Sequence, residues 1–172
     1  EDRVSDPAQV FQLRKNLYTQ KLTALVGINA SGKTSVLKLI YLAMSIVLER
    51  GSLNTLVYDK SLLQDETKIT IDFCHGDSCY ELHSIIGKRA PSRSTGTELY
   101  FKEEQLFKKP LASIKSKKDA LYFDQTRLAL QRSQLPKDAL GFLKFDVSIV
   151  ISIMTDRQLP AIRSLIAFIN NN

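Results

Sequence analysis

The sequence feature that most limits what this chain can fold into is the run Gly27-Ile28-Asn29-Ala30-Ser31-Gly32-Lys33-Thr34. Its two glycines, followed at once by lysine and a hydroxyl residue, match the P-loop pattern at every required position. Glycine permits a loop whose amide N–H groups turn inward as an anion-binding nest, and a helix that begins at the lysine directs its positive end at the same place. The run therefore predicts a site for phosphate groups.

The residues on either side of this loop predict a strand before it and a helix after it. Residues 22–26 form a short apolar run that enters Gly27 directly, which is typical of a buried strand ending in a turn. Residues 33–50 hold good helix formers, and their apolar residues recur so often that we expect a nearly all-buried helix ended by Gly51. Strand, glycine loop and helix in this order are the context that a P-loop requires.

Each residue type in the loop has a chemical role in binding a nucleoside triphosphate. Main-chain amides supply most of the affinity for phosphate, and the mobile charge of Lys33 reaches the β- and γ-phosphates, which also predicts a catalytic role for it. The Thr34 hydroxyl completes the coordination of Mg²⁺. The residues predicted to hold the nucleotide and its metal are Gly27, Asn29, Ala30, Ser31, Gly32, Lys33, Thr34 and Ser35.

Length and composition predict one globular domain. The chain has 172 residues, 44% of them hydrophobic and 24% charged, which is enough apolar surface for a core. The longest apolar run, residues 39–48, is about half of what a membrane span needs, and no secretory leader opens the chain, so we expect a cytoplasmic protein without a membrane partner. Cys74 and Cys79 flank a turn and could face each other, but in a reducing compartment we expect unpaired thiols and no zinc site.

The chain divides into four parts by pattern. Residues 10–51 hold the predicted strand, loop and helix, and residues 67–86 alternate apolar and polar side chains around Gly76-Asp77, which predicts a β-hairpin. Residues 87–119 form a basic, insertion-like stretch. Residues 120–172 are the remainder of the lobe, with a predicted strand at 120–123, a short helix after Pro136, a β-branched run at 147–153 and a helix from about Pro160.

The positive charge is concentrated in one stretch of the chain. The net charge is +6, and residues 88–118 contain nine Lys or Arg against three Glu, which alone accounts for the excess. One interpretation is a docking surface for nucleic acid or an acidic protein. The other, which we favour, is a solvated loop, because these charges lack the interleaved aromatic residues of a base-stacking surface.

The inner residues of the loop resemble those of a known group of ATPases. Asn29 at the third position gives the G-x-N-x-S-G-K-T form of ABC, SMC and RecF-like ATPases, and residues 25–37 are similar to bacterial AAA-family ATPases related to OLD nucleases and phage-defence ATPase subunits. Five residues of the hairpin match the hairpin that follows the P-loop helix in these ATPases. Residues 143–149 resemble another stretch of the same proteins, so the likeness covers roughly residues 10–150. The five hairpin residues are Ile69, Ile71, Phe73, Tyr80 and Leu82.

This resemblance implies a fold and a function. The implied fold is α/β, the first lobe of an ABC-type P-loop NTPase head with an antiparallel β subdomain. The implied function is ATP and Mg²⁺ binding by a head dimer that switches an effector or nuclease, in antiviral defence or DNA processing. The resemblance also makes Gln125 a candidate Q-loop glutamine that holds Mg²⁺ and the attacking water, although an ordinary polar loop residue is an equal alternative, and it makes Arg14 or Lys15 candidate nucleotide contacts.

The chain also departs from this family. No L-S-x-G signature, Asp-Glu Walker B strand or late histidine is present, and Arg157 stands where the nearest imitation of Walker B needs a glutamate base. Hydrolysis would thus need residues from elsewhere, and a nucleotide-gated interaction module without turnover is the main alternative. A small GTPase or kinase is less favoured. GTPases need a D-x-x-G motif before an N-K-x-D motif that reads the base, whereas here Asp138-x-x-Gly141 comes after Ser116-Lys117-Lys118-Asp119, which also lacks the asparagine.

Overall fold

A computed structural model describes most of the chain in several stretches. The described residues are 8, 10–14, 17–20, 23–29, 32–48, 51–57, 59–91, 96–135 and 143–150. Ala30, Ser31, Lys15, the predicted helix after Pro136, the Walker B imitation and the predicted helix from Pro160 lie outside them. The statements that follow concern the described residues.

Six strands and three helices make up the regular structure of this part of the chain. The strands are β1 (Val10–Arg14), β2 (Leu17–Gln20), β3 (Glu66–His75), β4 (Ser78–Arg89), β5 (Glu98–Pro110) and β6 (Leu128–Gln131). The helices are α1 (Lys33–Leu48), α2 (Leu53–Leu56) and α3 (Lys117–Leu121). The 3₁₀ turns are Lys60–Leu62, Leu111–Ser113, Gln125–Arg127 and Arg132–Gln134.

The strands form two separate sheets, and every strand pair is antiparallel. The larger sheet has the order β3-β4-β5-β6, in which each strand pairs with its neighbour in sequence, and β1 pairs with β2 alone. Sequential antiparallel strands need only tight turns, whereas parallel strands need a crossover connection. The described chain is therefore a small antiparallel meander with few helices.

This topology contradicts the predicted α/β P-loop NTPase lobe. Such a lobe is built on a parallel sheet, and all pairs among the described strands are antiparallel. The strand expected before the loop is also absent, since residues 23–28 have no regular structure and Val26 is 92% exposed. An apolar run becomes a buried strand only where neighbouring strands pair with it, and no described strand does so here.

The predicted hairpin is present, with strands longer than expected. β3 and β4 pair from Glu66↔Gly87 to His75↔Ser78, and Gly76 adopts a positive φ of 56° in the turn. Alternate residues of the two strands point to one face of the sheet, where Ile71 lies opposite the fully buried Leu82. This face carries the main core, which α1, α2 and residues 143–150 also join.

The basic stretch at 87–119 contributes β5 to the sheet, so the interpretation of this stretch as a solvated loop was wrong for residues 98–110. β5 occupies an inner position between β4 and β6. A bulge at Ile85/Ile86 places one extra residue, Lys102, on β5, and beyond it Glu104 and Leu106 point into the core. The strand predicted at 120–123 is likewise absent, because α3 extends to Leu121.

Helix α1 begins where the sequence predicts but is far less buried than expected. Only four of its residues are buried, all in the second half: Leu42, Ser45, Ile46 and Val47. Large apolar side chains remain exposed along the rest of it, namely Val36, Leu37, Leu39, Ile40, Tyr41, Met44 and Leu48. One narrow stripe of the helix therefore packs on the core, and a broad apolar surface faces outward.

The two cysteines form a disulfide, so the expectation of unpaired thiols was wrong. Cys74 and Cys79 are direct partners in the β3–β4 register, with Cα atoms 4.2 Å apart. Direct cross-strand partners in a hairpin bring their Cβ atoms within reach of a sulfur–sulfur bond. Compartment, on which the expectation rested, does not determine this geometry.

Candidate functional site

The candidate site is the loop at the amino end of α1, of which residues 27–29 and 32–34 are described. Gly32, which precedes the helix, has a φ of +81°, a left-handed conformation that L side chains rarely adopt. A Cβ at this position would meet no atom within 4 Å, so the backbone conformation and not space demands glycine. The left-handed backbone at position 32 thus explains why the second glycine of the motif stands there.

The Lys33 side chain folds back over the loop. Its Nζ donates to the carbonyl oxygens of Gly27, at 2.7 Å, and Ile28, at 2.5 Å. These bonds join the two ends of the motif and place an ammonium charge across the turn. The role of Lys33 at the β- and γ-phosphates stays a prediction.

The first turn of α1 adds a second source of positive potential. The helix begins with a hydrogen bond from Val36 N to Gly32 O, so the preceding amides of Thr34 and Ser35 point out of the helix end. No acidic residue lies in this first turn to offset the dipole. Thr34 and Ser35 are exposed and their hydroxyls can reach a ligand at this end.

An apolar groove continues from Thr34 along α1. It has a volume of about 330 Å³, and its second wall is formed by α2 and the turn at Lys60–Leu62. Lys38 Nζ lies 3.7 Å from the Asp59 carboxylate across it. Both side chains are about half exposed, so this ion pair contributes little to the stability of the fold.

Gln125, the proposed Q-loop residue, lies in the 3₁₀ turn Gln125–Arg127. The Asp124 side chain caps this turn through the amide of Thr126, at 2.9 Å, and the turn packs against β5. Gln125 itself is exposed. None of the hydrogen bonds described for this turn reaches the loop at residues 27–34, so the roles of Gln125 in catalysis and in Mg²⁺ binding stay predictions.

Several cations of the stretch 88–118 are engaged in the fold. Lys102 pairs with Glu66 at 2.6 Å, and this bond lowers the pKa of Glu66. Arg89 pairs with Glu98 at 2.8 Å. Lys109 is only 5% exposed and donates to the carbonyl oxygens of Asp119, Ala120 and Tyr122, which end helix α3. The charge available to an acidic partner is thus smaller than the sequence count.

Sequence reasoning missed a buried polar cluster centred on Glu104. This carboxylate is 0% exposed and accepts hydrogen bonds from Arg132 Nε at 2.8 Å, Ser148 Oγ at 2.6 Å and Ile149 N at 3.1 Å. Burial raises the pKa of Glu104, and Arg132 opposes that rise. The cluster joins β5, the turn after β6 and residues 148–149, so its first effect is to hold the fold together.

A second group of titratable side chains lies on the other face of the hairpin. Asp72 is opposite Glu81 in the register, and Glu81 accepts from His83 Nε2 at 2.9 Å. Desolvation raises the pKa of Glu81 although His83 opposes it. Among the described residues, no group of three His, Cys, Asp or Glu side chains is arranged to hold a metal ion.

Comparison with known proteins adds no relative to this description. No protein-family model, curated protein or solved structure matches the chain. Within the described stretches, no helix is both long enough and apolar enough to cross a membrane.

Proposed function

We propose that residues 27–34 bind the phosphates of Mg-ATP and that this binding drives a nucleotide-dependent switch. The observation that carries the proposal is the position of Lys33, whose ammonium group lies across a glycine turn at the positive end of α1. An anion at this place would gain the loop amides, the helix dipole and a lysine together. The same residues carry the likeness to ABC, SMC and RecF-like ATPases.

The metal is part of the proposal. Oxygen ligands suit Mg²⁺, and the exposed Thr34 hydroxyl beside Lys33 supplies one while the phosphates and waters supply the rest. When bound, Mg²⁺ would neutralise charge on the β- and γ-phosphates. Hydrolysis needs a general base and a transition-state donor that this loop does not contain, so a second ATPase core or an effector such as a nuclease would have to supply them.

The exposed face of α1 favours a second candidate, a nucleotide-gated interaction module without turnover. Seven large apolar side chains of this helix are exposed, directly after the loop that would bind the nucleotide. Contiguous apolar surface of this kind is typical of protein interaction sites. In this version, nucleotide binding changes the affinity of the helix for a partner and no phosphoryl transfer follows.

The test is Mg-ATP binding by wild type and by Lys33→Ala, measured by isothermal calorimetry and by thermal shift. Hydrogen bonds from a charged donor contribute about 1.5–3 kcal/mol each, so we expect binding at least about tenfold weaker in the variant. Lys68→Ala, an exposed lysine on β3, is the control that should bind as wild type does. Equal nucleotide stabilisation of Lys33→Ala and wild type would refute the site.

Phosphate release separates the two candidates. ATP binding that depends on Lys33 and is accompanied by Lys33-dependent phosphate release supports the ATPase switch. Binding without release, both alone and with a second core supplied, supports the gated module.

A further inference from the structure

The Cys74–Cys79 pair has a geometry that the hairpin itself imposes. The β3–β4 register runs without a shift from Glu66↔Gly87 to His75↔Ser78, and the two cysteines are partners one step before the turn. The backbone ladder, and not the sulfur–sulfur bond, therefore places these side chains opposite each other. The two sulfurs stay neighbours when an external thiolate has broken the bond, so the step that re-forms it is intramolecular.

The two sulfurs differ in access to solvent. Cys74 is exposed, whereas Cys79 is 4% exposed and lies between Cys74 and Lys109 in the pairing of β3, β4 and β5. Thiol–disulfide exchange requires in-line approach of the attacking sulfur, so access decides which sulfur reacts first. An external thiol or disulfide meets Cys74, and Cys79 is placed to resolve the product.

We propose that Cys74 and Cys79 form a reversible redox site that exchanges with small disulfides of the glutathione class. The Cys74 thiolate attacks one sulfur of the small disulfide, forms a mixed disulfide and releases one small thiolate. The Cys79 thiolate then attacks the Cys74 sulfur, forms the internal bond and releases the second thiolate. Two protons and two electrons leave the protein dithiol, and one small disulfide becomes two small thiols.

The tip of the hairpin is also held by contacts other than the internal bond. Asp77 in the turn accepts a hydrogen bond from Leu111 N at 2.8 Å, which joins the tip to the end of β5. Phe73 and Tyr80, the next pair in the register, stack on the core face of the sheet with ring centroids 5.1 Å apart. None of these contacts uses a cysteine sulfur, so we expect reduction to leave the hairpin paired and the sheet folded.

The test titrates the full chain with mixtures of reduced and oxidised glutathione, followed by alkylation of free thiols and peptide mass analysis. We expect both cysteines to lose alkylation together as the pool becomes oxidised and to regain it on reversal. With limiting oxidised glutathione and short reaction times, the mixed disulfide should appear on the Cys74 peptide. A pair that stays in one state over the whole range, or that links two chains, would overturn the proposal.

Two single variants test the order of attack. Cys79→Ser should accept glutathione on Cys74 at least about tenfold faster than Cys74→Ser accepts it on Cys79, because exposure controls the reaction. Equal rates in variants with wild-type circular dichroism would contradict the assigned roles. If either variant is unfolded, the early mixed disulfide in the wild-type chain decides the same question.

Discussion

The sharpest prediction concerns the buried pair of Glu104 and Arg132. Arg132 Nε and Nη2 both lie 2.8 Å from Oε2 of Glu104, and the two side chains are 9% and 0% exposed. Removing one partner of a buried ion pair costs about 3–5 kcal/mol, because the other charge stays buried. Ser148 and Ile149 still donate to the carboxylate in Arg132→Met, so we expect the lower end, about 3 kcal/mol.

A double-mutant cycle isolates the pair from its surroundings. Glu104→Gln keeps only one acceptor oxygen, so it cannot serve both Ser148, which donates to Oε1, and Ile149, which donates to Oε2. It also leaves the guanidinium group of Arg132 without its carboxylate, so it should be destabilised at least as much as Arg132→Met. The double variant Glu104→Gln/Arg132→Met contains neither charge, and its loss should fall short of the sum by at least about 2 kcal/mol. Urea denaturation of all four proteins at neutral pH supplies the free energies of unfolding.

The loss of stability in Arg132→Met should depend on pH. Burial raises the pKa of Glu104 in the folded state, so its contribution to stability increases as the pH falls through that pKa. Without Arg132, whose charge lowers this pKa, the carboxyl group takes up a proton at a still higher pH. The penalty of Arg132→Met should therefore shrink as the pH falls from neutral. A penalty below about 1 kcal/mol, or one that does not change with pH, would refute the reasoning.

Two further substitutions test backbone and surface assignments. Gly32→Ala should lower stability by about 1–2 kcal/mol and weaken Mg-ATP binding, because alanine disfavours the φ of +81° in open space; an unchanged melting temperature would contradict this. Lys109→Met should cost about 2–3 kcal/mol by leaving the carbonyl groups at the end of α3 without their donor. The neighbouring and exposed Lys108→Met should stay within about 0.5 kcal/mol, and equal effects of the two in urea denaturation would contradict the buried role of Lys109.

Local patterns predicted the elements that depend on neighbours in sequence. The alternation around Gly76-Asp77 predicted the hairpin, and the helix formers after Gly32 predicted the start of α1. Both depend on side-chain direction and backbone preference within a few residues. The same information could not show which face of α1 would be covered, because burial depends on what the rest of the chain places against it.

Longer-range features were beyond the sequence for an identifiable reason. Simple alternation from Leu99 and Phe101 points Glu103 and Gln105 at the core, and it leaves Glu104 on the other face. The extra residue Lys102 shifts the register and turns Glu104 and Leu106 inward instead. A bulge is a property of a strand pair, so the sequence of one strand alone does not predict it. The polar cluster and the central position of β5 were missed together for that reason.

The contrast between the loop and the fold bears on the functional proposal. A parallel sheet is a property of strands distant in sequence, and the α/β P-loop lobe that the resemblance implied was wrong. The features that favour phosphate binding here are local, namely a glycine in the left-handed region, a helix end and a lysine that reaches back over the loop, and the described residues among 27–36 supply all three. The two predictions are therefore separable, and the antiparallel sheet removes the fold argument without removing the site. Binding measurements with Lys33→Ala are therefore the deciding test of the site.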